Sequence, residues 1–355
     1  MSIPVFRASS LSEFFSKFND AVEVLRCHEE KVGIKKDRPY VWSRGQSKSA
    51  YDLTPSILRG LKGANGEEKQ RHLDLLEMYR PGHHDAITRH IIGSGSNNII
   101  DRNELLQHHE IPTRYLDWTE RVETSLGFAL EPHLRNEKKV WEITDTPTVW
   151  ILSPSLLNYN VFKLIAGNFT KDDYRGLLCE FPSHSGDIAE KLKGLMENYD
   201  AAFEKWMYID DYKYTNILSL SAIADYRISA GSQLSEMLKV GEFNPFFYIA
   251  LRIYGDRIKV SRDTSLPPLP PLPPIATLQP ANSDRIVAQR GTFTVFPANA
   301  AAPALNLLPQ CQDCICRIEL VGAPDIAKQL STIGFRLADL YPDLDSFAKS
   351  INSGI

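Results

Sequence analysis

Apolar residues recur at helical spacing near the start of the chain. Leu11, Phe14, Phe15, Phe18, Val22 and Leu25 share one face of a helix expected over residues 10 to 26, and Ser10 with Glu13 forms a capping-box signature ahead of it. Tyr40-Val41-Trp42 reads as a short strand that delivers Ser43, Arg44, Gly45 and Gln46 at its end. A charged amphipathic helix over residues 67 to 79, stopped by Pro81-Gly82, and a short helix over 85 to 92 come next. The stretch from Gly93 to Asn98 reads as a connector, because it lacks the lysine and spacing of a P-loop. Val122, Leu126, Ala129 and Leu130 then follow at i, i+4, i+7 and i+8, which predicts a helix from about Thr119 with Asp117 or Thr119 as its cap. The uninterrupted apolar run Thr148 to Leu152 suits a buried strand.

The second half is more varied. Residues 187 to 239 turn helical, with Leu192, Leu195, Met196, Phe203, Trp206 and Met207 at helical spacing, and read as a lobe or insertion. Phe246 to Tyr254 is aromatic and β-branched enough for a strand. Leu266 to Ile275, LPPLPPLPPI, must be extended for want of backbone donors, and is expected as an exposed spacer or as a segment read by a protein partner. Arg285 to Phe296 alternates into a strand pair or bulged strand around Gly291, with Gln289 near its middle. A strand over 315 to 321 leads to a helix from Pro324 to Ile333, with proline in its first turn and Gly334 at its end, and a last helix is expected near Asp343. Strands at both ends with helices between predict an α+β fold: a mixed, mainly antiparallel sheet with flanking helices and a helical insertion. The expected division is an N-terminal helical segment over 1–36 and a domain over 37–355, with the insertion at about 187–240 and a Pro-rich loop at 264–282.

Bulk properties narrow the function classes. A formal charge of -4 over 355 residues gives no global attraction to nucleic acid, so any such binding would be local, as at Lys31, Lys35, Lys36, Arg38, Arg44 and Lys48. Five cysteines, no run long enough to span a membrane and an opening unlike a signal peptide lead to the expectation of a cytoplasmic protein with no membrane partner. Cys311, Cys314 and Cys316 form a C-x-x-C-x-C cluster that invites zinc, but no fourth ligand lies nearby, and reduced thiols without metal are expected.

The densest chemistry lies between Glu104 and Leu130. Gln107, His108 and His109 precede a bend at Pro112, and Thr113, Arg114, Asp117 and Thr119 follow it. These groups are either a buried loop-helix junction, with Asp117 as cap and Arg114 paired to a carboxylate, or a site for a ligand with negative charge. Arg44 beside Gly45 is likewise either a structural ion-pair member or a place where the backbone opens to an anion.

At these residues the sequence resembles the FRG-domain family. QHHEIPTRYLDWT, over 107 to 119, looks like the family segment Q-H-[aromatic]-G-x-P-T-R-L-L-D-W-T. Trp42-Ser43-Arg44-Gly45-Gln46 with Leu53-Thr54-Pro55 and Arg59, then Arg285 to Phe296, then Tyr341 to Asp345 agree in order, so that the resemblance covers roughly Val41 to Ile351. His109, Glu110 and Tyr115 depart from the pattern. The family is found largely in prokaryotes and phages, which implies a conflict or defence setting. A second resemblance is to the ADP-ribosyltransferase plan, with an arginine on an early strand, a hydroxyl-bearing middle segment and a Glu or Gln on a late strand. It implies NAD or an ADP-ribose-like nucleotide as ligand, held by Arg44, Gln46, Gln107, Thr113, Arg114 and Thr119, with His108 or Asp117 as general base and Gln289 in the late position. Gln289 has no charge, so the ligand is either processed slowly or only bound. The alternative is a non-enzymatic sensor or interaction module for nucleic acid or a protein. If there is one cleft, Arg44, His108, Arg114 and Gln289 face it.

Overall fold

The computed structural model describes residues 2–34, 40–59, 112–135, 145–167, 273–277, 284–296 and 303–341, with seven isolated positions between 68 and 201. Strand β1 (Val5–Ala8) runs directly into helix α1 (Leu11–Lys31). Ser10 Oγ accepts the Glu13 N–H at 3.2 Å, as its position predicts. The return limb of the capping box shifts back by one residue, for the Glu13 carboxylate accepts from the N–H and the hydroxyl of Ser9 at 2.8 and 2.7 Å. The helix buries Leu11, Phe14, Ala21 and Leu25 and runs past the expected end, burying Glu29 against the Ser153 hydroxyl.

The remaining strands and α-helices among the described residues are β2 (Trp42–Gln46), β3 (Tyr115–Thr119), α2 (Val122–Leu134), β4 (Thr148–Leu152), α3 (Pro154–Gly167), β5 (Ile275–Thr277), α4 (Asp284–Gln289), β6 (Gly291–Val295), β7 (Ile315–Leu320), α5 (Ala323–Thr332) and α6 (Leu337–Leu340). The strands form one sheet in the order β1-β7-β4-β2-β3-β6-β5. Only β1 and β7 run parallel; every other neighbouring pair is antiparallel. The fold is therefore α+β with a mixed, mainly antiparallel sheet.

One face of the sheet presents Val149, Ile151, Cys316, Ile318 and Leu320 to α1, α2 and α5 and forms one apolar core cluster; Trp42, Trp118, Trp150 and Phe296 are among the large apolar side chains buried outside it. Each of the valine, isoleucine and leucine side chains contributes about 1.5–3 kcal/mol on burial. Helix α2 packs directly on Gly45, where a Cβ would lie 1.8 Å from the Ser125 carbonyl oxygen. Proline opens α5, and Gly334, at φ +101°, closes it, as its sequence predicts.

Three expectations need correcting. The segment before α2 is not a loop with a cap. Tyr115 to Thr119 form strand β3, paired with β6 at five positions, and the helix starts at Val122 behind Arg121 with no side-chain cap. Asp117 is held in that ladder and is too far back along the chain to cap. Nor is Gln289 in the middle of a strand. It ends helix α4, and Arg290 at φ +45° turns the chain into β6. The Pro-rich run is not exposed at its end, because Pro273 and Pro274 are buried and Ile275 opens β5, whose Ala276 backbone is bonded on both sides by Asn158. The rest of that run lies outside the described residues, as do the expected helices over 67 to 79, apart from Glu68 and Arg71, and over 85 to 92, the connector at 93 to 98, most of the lobe over 187 to 239, the strand over 246 to 254 and the helix near Asp343.

Candidate functional site

Arg44 lies within β2 rather than at its end. The ladder from β2 to β3 is one pair long, Ser43 opposite Thr119, whereas β2 meets β4 at five pairs. Beside that short ladder Arg44 Nη1 donates to the Asp117 carbonyl at 2.6 Å and lies 3.7 Å from Asp117 Oδ2. The Arg44 side chain is only 15% exposed and that of Asp117 is 57% exposed, so the pair is a sunken cation with a carboxylate at its rim. Burial pushes the Arg44 guanidinium down to about 10, against the pull of Asp117, with nearby Arg59 adding to the effect. It remains charged at neutral pH. Gly45 does not open the backbone to an anion here; its missing side chain admits α2.

The other sequence candidates are distributed around the same strands. Gln46 Oε1 accepts the indole N–H of Trp150 at 2.8 Å, and its amide donates to the Asp52 carbonyl, so its polar ends are engaged inside the protein. Thr113 exchanges hydrogen bonds with Ser56: its N–H donates to Ser56 Oγ at 2.9 Å and its carbonyl accepts from that hydroxyl at 3.3 Å. Arg114 Nη1 donates to the Phe296 carbonyl at 3.1 Å, while the Phe296 N–H donates to the Arg114 carbonyl. Thr119 Oγ1 donates to the Gln289 carbonyl and accepts the Arg121 N–H at 2.9 Å. Gln107 and His108 lie outside the described residues.

Gln289 does not reach Arg44. Its amide donates to the Leu340 carbonyl at 2.6 Å, and Leu340 packs by Gly127 of α2, on the side of the sheet that Gly45 faces. Strand alternation puts Arg44 on the opposite face, so the sheet separates the two. The structure thus brings Arg44 to Asp117 and links Thr119 to Gln289 through the backbone.

An FRG domain family model matches residues 39–138. The chain carries an FRG domain. Within its bounds the described part of the FRG domain supplies β2, β3 and α2, which hold Arg44, Gln46, Thr113, Arg114, Asp117 and Thr119. Gln289 is contributed from beyond the matched residues of the FRG domain. No curated protein and no solved structure matches the chain.

Sequence reasoning passed over two residues beside Arg44. Trp150 stands opposite it on β4, and Arg317 stands opposite Trp150 on β7. The alternation of ICRIEL, with Arg317 and Glu319 on one side and Cys316 and Ile318 on the other, was the signal that could have found Arg317. Cys311, Cys314 and Cys316 are buried free thiols; Cys314 Sγ donates to the Cys311 carbonyl at 3.0 Å, and Cys316 lies against α1 at Ala21. Among the described residues no group of three His, Cys, Asp or Glu is placed to hold a metal ion, and no helix is long and apolar enough to cross a membrane.

Proposed function

We propose that this FRG domain protein binds a phosphate-bearing nucleotide of the NAD or ADP-ribose type through Arg44, in a prokaryotic or phage defence setting. The observation that carries the reading is the Arg44 guanidinium, a permanent charge sunk into the sheet with its Nε–H buried and without a partner among the described residues. Buried donors are nearly always paired. A planar fork of this kind takes a phosphate or carboxylate oxygen as its partner. The defence setting rests on the resemblance of the sequence blocks alone.

Binding without turnover is the favoured form of this reading. Gln289 is uncharged and its amide is occupied by the Leu340 carbonyl on the other side of the sheet, so it supplies no charge to an oxocarbenium-like state at Arg44. The test is a thermal-shift panel of NAD, ADP-ribose, ATP and short oligonucleotides, followed by assay of NAD for nicotinamide release. NAD or ADP-ribose is expected to raise the melting temperature by several degrees, through preferential binding to the native state, with NAD left intact. Stabilisation by oligonucleotides alone, or by nothing in the panel, would overturn the proposal.

A further inference from the structure

Four buried side-chain polar atoms lack a hydrogen-bond partner among the described residues: Nε1 of Trp42, Nε of Arg44, Oγ1 of Thr292 and Nε of Arg317. Each requires an account, because such groups are costly to leave unpaired. The register puts all four on one face of the sheet. Arg44 stands opposite Trp150 and Trp150 opposite Arg317, and Trp42 is two residues from Arg44 on the same strand. Thr292 is opposite Trp118, the neighbour of Thr119, which pairs with Ser43, and so alternates onto the same side. Three of the four atoms can only donate. Donor-only atoms from two strands, with a hydroxyl from a third, on one face and without a hydrogen-bond partner among the described residues, fit a ligand rich in acceptor oxygens.

The two arginines flank one fixed indole. Trp150 is held by its bond to Gln46, and the Arg317 guanidinium carbon lies 5.5 Å from the centre of its ring. Glu319 is the neighbouring carboxylate, but it serves two cations, Arg317 at 2.9 Å and Arg7 at 3.1 Å, which leaves positive charge in excess. The side chains of Arg44 and Arg317 are 15% and 27% exposed, so part of each reaches the surface while its Nε stays buried. Two ladder steps put their Cα atoms roughly 10 Å apart, within joint reach of two extended forks.

We propose that Arg317 is a second anion-holding residue of the site that contains Arg44, with Trp150 as the positioning residue between them, and that the ligand class is a diphosphate whose adjoining phosphates are divided between the two arginines. This rests on the reading that Arg44 holds an anion and adds the residue that takes the second phosphate of the diphosphate. The experiment is calorimetric titration of the full chain with inorganic phosphate, inorganic diphosphate, AMP, ADP and ADP-ribose, repeated on Arg317→Lys, Arg317→Gln and Arg44→Lys after each variant's melting curve has been checked. The unaltered protein is expected to prefer diphosphate over phosphate, and ADP over AMP, by about tenfold or more. Arg317→Lys keeps the charge and the stem but loses the fork, and should erase that preference while leaving AMP affinity unchanged; Arg44→Lys should weaken AMP and ADP alike. If diphosphates bind and both Arg317 variants keep the preference, the role of Arg317 is overturned and the Arg44 reading stands. A wild-type protein that binds AMP and ADP equally overturns the diphosphate assignment without need of any variant. If no phosphate probe binds, both readings fall together.

Discussion

At Gly45 a Cβ would also lie 2.6 Å from the Ala129 nitrogen, so a methyl group meets helix backbone on two sides and has no rotamer by which to escape. Gly45→Ala is therefore expected to cost about 3 kcal/mol or more, or to prevent soluble expression, as read from the urea midpoint. The sequence displayed this glycine next to Arg44 and invited an electrostatic reading; the physical reason is a helix crossing, which no local pattern announces. A second expectation concerns Cys316, whose thiol burial pushes up to about 12 from an ordinary 9.0. The unfolded chain loses this proton first, so stability is intact below about pH 9 and declines as pH rises through the window from 9 to 12. Cys316→Ala should flatten that alkaline decline in melting temperature relative to the parent. An equally steep decline in the variant would show that other groups cause it.

Among the elements, the sequence was legible where the signal is local. The stripe that defines α1, the apolar run of β4 and the Pro–Gly punctuation of α5 each sit inside one segment, and each formed as expected. The site segment was misread because Asp117, three residues ahead of Glu120, looks like a helix cap, while its true partners lie far along the chain in β6. The five-pair ladder outweighs a cap of about 1 kcal/mol. Helix α4 was missed for a related reason: Arg285 to Phe296 contains two elements, and the left-handed turn at Arg290, a non-glycine residue, gives little warning. The first helix offers a direct check. Ser10→Ala should lower stability by about 1 kcal/mol by leaving the Glu13 N–H without its acceptor, whereas Asp117→Ala should show no cap penalty in the helical signal of α2. A loss of α2 helicity in Asp117→Ala would restore the capping role.

At the scale of the whole molecule, β1 and α1 precede the matched FRG domain residues yet lie in the same sheet as β2 and β3 and in the same apolar core as α2 and β4. Removal of residues 1–36 would uncover the apolar side of β7 and β4, and is expected to give an aggregating chain by size-exclusion chromatography rather than a trimmed, folded domain. A monomeric, cooperatively melting product would overturn that expectation. The same arrangement sets a timetable for synthesis. Strand β1 pairs with β7, some three hundred residues later, and β7 sits between β1 and β4, so β1 has no ladder partner among the described strands until the ribosome has passed Leu320. At about 5–20 residues per second this wait is roughly 15–60 s. Throughout that time the apolar stripe of α1 lacks the β7 part of its packing surface and has only earlier parts such as β4 to rest on, so the yield is expected to be sensitive to translation speed.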